Sequence, residues 1–266
     1  MDSNNFSIGF FDSGVGGTSI WKEVITLLPN ENTIYLSDSI NAPYGEKSEE
    51  EIIALSIKNT EFLLKKNCKL IVVACNTATT NAITLLRNNY DIPFIGIEPA
   101  IRPAALTTKT NTIGILATKG TLNSRLFEET SSTIRKDIQI KETIGKGLVE
   151  LIEGGKLNSK EMTFLLSSYL KPMIANNIDS LVLGCTHYPY LIPQIRKIVG
   201  SKIQIIDSGE AVAKQTKAVL SKNNLLNIDK EHEAKHQLYI NKNKAALKNL
   251  LISIKDKNIE ILERKF

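Results

Sequence analysis

The chain has 266 residues, more than the roughly 100–200 of a typical domain, and so predicts two domains or one large α/β unit. Its 42% hydrophobic and 23% charged residues are those of an ordinary globular protein, and no apolar run approaches the roughly 20 residues of a membrane span. The net charge of +5 comes from dispersed lysines, mildly concentrated at Lys242, Lys244 and Lys248, without the aromatic-interleaved basic stripe of a nucleic-acid binder. The opening, Met1 to Ser7, is polar and lacks the basic and apolar regions of a secretory signal, so the expectation is a cytoplasmic protein.

In chain order, a first apolar strand over 8–11 leads into a helix that opens near Gly17 and stops at Pro29. A second strand follows over 33–37, and Ser48 with Glu51 three residues on is a capping-box start for the next helix. Strands over 70–74 and 93–97 come next, then Pro99 and Pro103 bracket a segment where the chain is expected to leave one sheet for another. A fifth strand over 112–116, a capping-box pattern at Asn158 and Glu161, and strands over 180–183, 203–206 and 237–240 complete the pattern. Short buried strands alternating with helices build parallel sheets covered on both faces. A strand, a cysteine, a nearby Thr and a helix occur twice, at 71–82 and 181–195, with Cys75 and Cys185 separated by 110 positions. The fold class expected is therefore two similar α/β domains with central, mostly parallel sheets. Their boundaries are 1–98 plus 209–266 for the first and 99–208 for the second.

Ligands of open α/β sheets bind beyond the carboxyl ends of strands, which directs attention to the polar residues there. The loop Asp12-Ser13-Gly14-Val15-Gly16-Gly17 is glycine-rich but has Ser19 where G-x-G-x-x-G needs its last glycine, and no P-loop Lys follows. A substrate carboxylate or amine suits it better than a nucleotide phosphate, with a plain tight turn as the alternative. Three cysteines, three histidines and no C-x-x-C pair fit neither a disulfide framework nor a zinc site, so no metal is expected. Cys68 reads as a buried, inert thiol, whereas Cys75 and Cys185 each stand at a strand-to-helix junction, where the helix dipole favours a thiolate. His187 is placed to tune or relay a proton near Cys185. One activated thiol would suggest a cysteine hydrolase; two in matching positions suggest a base and an acid on opposite faces of one carbon.

The segments Phe11-Asp12-Ser13-Gly14-Val15-Gly16-Gly17, Ala42-Pro43-Tyr44-Gly45, Ala74-Cys75-Asn76-Thr77-Ala78 and Leu183-Gly184-Cys185-Thr186-His187-Tyr188-Pro189 resemble the signatures of the glutamate racemases, within the aspartate/glutamate racemase superfamily. The likeness spans roughly residues 8 to 213. It implies cofactor-independent interconversion of L- and D-glutamate for peptidoglycan synthesis, with the active site in the cleft between the domains. It also implies that Cys75 handles the proton of the D enantiomer with help from Asp12, and Cys185 that of the L enantiomer with help from His187. Substrate-binding positions by the same resemblance are Asp12, Ser13, Tyr44, Gly45, Asn76, Thr77, Thr186 and His187. Glu153 lines up with an acid near the second thiol, although this chain has Gly145-Lys146 where the family often has Cys-Pro, and Asp38 is a weaker candidate. The resemblance implies no pyridoxal phosphate, metal or nucleotide. Glutamate is the expected small-molecule partner, with no nucleic acid or membrane and with a homodimer among the assemblies open to such enzymes. An aspartate or hydantoin racemase, and an idle regulator that binds an acidic metabolite, are the rival readings.

Overall fold

The computed structural model describes residues 6–229, 231–252, 254 and 257–266. Ten strands are found among them: β1 (Ile8–Asp12), β2 (Thr33–Ser37), β3 (Leu70–Val73), β4 (Phe94–Gly96), β5 (Thr112–Ala117), β6 (Gln139–Ile144), β7 (Ser180–Gly184), β8 (Gln204–Ile206), β9 (Lys235–Ile240) and β10 (Asn258–Glu263). The helices are α1 (Thr18–Leu27), α2 (Glu49–Lys65), α3 (Asn76–Asn89), α4 (Ile101–Thr107), α5 (Lys119–Leu122) and α6 (Arg125–Ser132). They continue with α7 (Leu148–Glu153), α8 (Lys160–Ala175), α9 (Ile192–Val199), α10 (Gly209–Lys222) and α11 (Lys244–Leu251).

Two parallel sheets result, one in the order β10-β9-β2-β1-β3-β4 and one in the order β6-β5-β7-β8. The runs β2-β1-β3-β4 and β6-β5-β7-β8 share one topology, so β3 and β7, which precede Cys75 and Cys185, are equivalent strands. In each sheet the order reverses beside the first strand of the unit, and the switch point opens a crevice at the strand ends. Every residue of β1, β2, β3, β5 and β7 is buried, as expected of parallel strands covered by helices on both faces.

Several elements depart from the sequence expectation. The edge strands β6 and β10 were not expected, because each is partly exposed and reads as polar alternation, QIKETI and NIEILE, without an apolar run. The segment bracketed by Pro99 and Pro103 contains α4, with Pro103 in its first turn, where a missing N–H costs nothing. Ser48 and Glu51 do form a capping box, but α8 starts one residue late: Ser159, not Asn158, accepts the N–H of Met162.

One apolar core runs between the sheets on the side of α1. It joins Phe10, Val15, Trp21 and Val24 to Leu148, Leu183, Tyr188 and Val212, and each large side chain fully buried there is worth about 1.5–3 kcal/mol. The opposite edge of the cleft is closed by hydroxyls instead: Thr77 Oγ1 lies 2.8 Å from Thr118 Oγ1 and 3.2 Å from Thr121 Oγ1. No helix among the described residues is long and apolar enough to cross a membrane.

Candidate active site

Cys75 leaves the end of β3 in an extended conformation and caps α3, its sulfur accepting the N–H of Ala78 at 3.4 Å. A helix N-terminus favours a thiolate, but here burial dominates. Burial pushes the Cys75 thiol well above its ordinary range, the Asp12 and Cys185 charges push the same way, and the N–H groups of Ala78 and Ser13 oppose them.

Cys185, at the end of β7, differs from expectation in its helix. The chain beyond it forms a 3-10 turn, Tyr188–Leu191, before α9, because Pro189 at the start of that turn cannot donate a ladder hydrogen bond. The favourable charge comes instead from His187, whose Nδ1 lies 3.7 Å from Cys185 Sγ. His187 Nε2 is 2.7 Å from Glu153 Oε1. Burial alone would discharge the imidazole, yet its bonds to Cys185 and Glu153, with the charges of Cys185 and Asp12, raise its pKa well above the ordinary value. An imidazolium then donates from Nδ1 towards the sulfur and from Nε2 to the carboxylate, leaving the nearby Gly16 N–H, 3.2 Å from Nε2, as a packing contact.

Asp12, at the end of β1, sits behind the thiols. Its Oδ2 accepts the N–H groups of Gly17 at 2.9 Å and Gly14 at 3.2 Å, and its Oδ1 accepts the Thr186 hydroxyl at 3.3 Å. Burial raises its pKa above the usual carboxylate range, against the pull of His187 and of Gly17. The glycine-rich loop is thus a close-approach device. A Cβ at Gly14 would collide with the Glu153 carboxylate, and one at Gly16 with the His187 ring. Asp207-Ser208-Gly209, an echo of the loop in sequence, lies away from this cavity: Ser208 donates to the carbonyl of Glu98 and Asp207 accepts the N–H of Gly209.

The expected residues Ser13, Tyr44, Gly45, Cys75, Asn76, Thr77, Cys185, Thr186 and His187 line a single narrow cavity, completed by Pro43, Thr118 and Val149. Asp12 and Glu153 stand just behind it. Thr118 had a signal in sequence, as a polar residue ending a buried strand, whereas Val149 had none. Asp38 does not reach the cavity. It is buried and accepts the Tyr44 hydroxyl at 2.7 Å and the side-chain amides of Asn41 and Asn241, so it holds Tyr44 in place. No cluster of His, Cys, Asp and Glu suited to a metal ion occurs among the described residues.

Comparison with known proteins agrees with this geometry. A sequence profile described as Asp/Glu/Hydantoin racemase matches residues 17–216. The chain belongs to that racemase family. A glutamate racemase of Herpetosiphon aurantiacus is 44% identical over 83% of this chain and 87% of its own. Among solved structures, a glutamate racemase isoform from Bacillus anthracis superposes with a TM-score of 0.85 at 30% identity, covering 98% of each chain. A glutamate racemase from Francisella tularensis in complex with D-glutamate does so with a TM-score of 0.82 at 30% identity, again over 98% of each. The α/β fold with two parallel sheets is that of these racemases, and the chain is accordingly an isomerase of amino-acid type.

Proposed function

We propose that this chain interconverts L- and D-glutamate without a cofactor, by proton transfer between Cys185, the substrate α-carbon and Cys75. The reading rests above all on two thiols from equivalent strands that share one cavity under opposite electrical surroundings. In the L-to-D direction the Cys185 thiolate breaks the α-C–H bond and takes the proton. The electron pair remains on the α-carbon and its carboxylate until the Cys75 thiol delivers its own proton to the opposite face. The site is left with Cys185 as thiol and Cys75 as thiolate, the starting state for the D-to-L direction, and exchange with solvent resets it.

The α-proton of an amino acid is weakly acidic, so the carbanion-like state needs fixed donors and exclusion of water. Backbone N–H groups at Ser13 and Gly45, with Tyr44, Asn76, Thr77 and Thr186, are assigned to the two carboxylates. Asp12 assists Cys75, His187 assists Cys185, and Glu153 keeps His187 charged. Asp38 acts through Tyr44. The folding units are 1–98 with 209–266, and 99–208. The names of the relatives support glutamate over aspartate. The role assigned is supply of D-glutamate for peptidoglycan synthesis in the cytoplasm.

The test is incubation of the purified protein with L-glutamate in D₂O without added cofactor, followed by circular dichroism and by NMR of the α-position. Loss of optical activity with one deuterium entering the α-carbon is expected. No reaction with glutamate but turnover of aspartate would replace the substrate assignment, and racemisation without deuterium would overturn the mechanism.

A further inference from the structure

The charge on His187 depends on Glu153, and the position of Glu153 is not secured by its own helix. The helix α7 has only six residues, with Gly147 at φ 84° before it, and Glu153 is its last residue, where the helix dipole disfavours a carboxylate. Three groups from distant parts of the chain hold it. The Val15 N–H donates to Oε1 at 2.6 Å, the Ser39 hydroxyl donates to Oε2 at 2.8 Å, and the Asn243 side-chain amide donates to the backbone carbonyl at 2.5 Å.

Asn243 belongs to the turn between β9 and α11. It takes the left-handed conformation that asparagine tolerates, φ 63° and ψ 55°, and its Oδ1 caps α11 by accepting the Ala246 N–H at 3.4 Å. Two residues earlier, Asn241 donates to Asp38 at 2.6 Å and accepts the Ile40 N–H at 2.8 Å. One turn therefore fixes both the segment that carries Ser39 and the end of α7. None of these residues lines the cavity that holds the thiols, and the turn lies beyond residues 17–216, the part matched by the family profile.

We propose that Ser39 and Asn243 are positioning residues, which lock the Glu153 carboxylate against His187 and so sustain proton transfer at Cys185. The inference rests on the roles given above to Glu153, His187 and Cys185. The charged and titratable groups around Glu153 are His187, Asp12 at the end of β1, Tyr35 of β2, Glu150 one turn back on α7, and Lys242 in the turn itself. Of these only His187 is hydrogen-bonded to the carboxylate, so slackening Glu153 acts first on the imidazolium.

The decisive variants are Ser39→Ala, which removes one donor, and Asn243→Asp. The latter keeps the α11 cap and the left-handed backbone but turns the donor to Glu153 into an acceptor. Each is expected to lower kcat about tenfold, with KM for glutamate and the thermal midpoint little changed. Ser39→Ala should also move the high-pH limb of the kcat/KM profile towards lower pH, because a His187 less firmly paired loses its proton sooner, and Asn243→Asp should do so by less, because its new carboxylate favours the imidazolium. Ser39→Thr should restore both. Glu153→Gln is the control and should move the limb further than either. If Glu153→Gln leaves rate and limb unchanged, the role given to Glu153 fails. If Glu153→Gln moves the limb while Ser39→Ala and Asn243→Asp leave it in place, the positioning role is overturned, whatever happens to kcat.

Discussion

Cys75 follows β3 in the order β2-β1-β3-β4, and Cys185 follows β7 in the order β6-β5-β7-β8, so the two sulfurs stand at matching switch points of similar sheets. Their neighbours are not matched. Around Cys75, burial above all, with the carboxylate of Asp12, drives the thiol well up against the pull of a helix N-terminus. Beside Cys185 is an imidazolium held by Glu153. The repeated topology brings two sulfurs into one cavity, and the unrepeated side chains give them opposite surroundings. A racemase built on two thiols needs both, because one must be base while the other is acid.

The largest effect should come from removing either sulfur. Cys75→Ser and Cys185→Ser should each lower racemisation by at least about 10³-fold while the far-UV spectrum and thermal midpoint stay near those of the parent. The loss in kcat/KM should be equal in the two directions, because enantiomers have equal free energy and the equilibrium constant is one. Full turnover by either variant would sink the two-base reading. A smaller effect should separate the two halves. On brief exposure to iodoacetamide near neutral pH, Cys185 should be alkylated before Cys75, and Cys68, buried and pushed up to about 12, should resist longest. His187→Asn should slow labelling of Cys185 several-fold, lower kcat about 10²-fold, and leave labelling of Cys75 nearly unchanged. Equal labelling of the two thiols in the parent protein would break the asymmetry drawn here.

Much of this arrangement was legible in the sequence because its signals are local. The strands β1, β2, β3, β5 and β7 are buried along their whole length and therefore read as apolar runs, and polar residues at the ends of β1, β3, β5 and β7 fall around the cavity. The edge strands β6 and β10 were illegible because one face of each meets solvent and their residues alternate. The dipole argument carried over to Cys75 but not to Cys185, where a 3-10 turn intervenes and His187 supplies the charge. Glu153 was reachable only through resemblance, since it meets His187 from 34 positions away, and the hold of Ser39 on it spans 114 positions with no local pattern to mark it.

The smallest effect contrasts His187 with a second buried histidine. His236 lies in β9, its Nδ1 2.9 Å from the Thr33 hydroxyl and its ring edge-on to Trp21 at 5.6 Å between centroids. Among the described residues no carboxylate pairs with it; burial, helped by the charge of Lys257, drives its pKa down to about 4. The two histidines therefore link stability to pH with opposite signs. For His187, raised in the folded state, the contribution is complete below the unfolded value of about 6.5 and is lost only as pH rises through the folded pKa. For His236 the unfolded chain takes up the proton first, so stability falls as pH drops from about 6.5 towards 4, by about 3 kcal/mol in all. Between about pH 5.5 and 4.5 the His187 contribution is nearly constant and that of His236 is changing. His236→Phe, which keeps an aromatic ring beside Trp21, should therefore flatten the rise of the urea midpoint with pH in that window relative to the parent, with little effect on turnover. An unchanged slope would mean that His236 is protonated in the fold after all, and would leave His187 as one of two charged buried histidines instead of the exception that Glu153 creates.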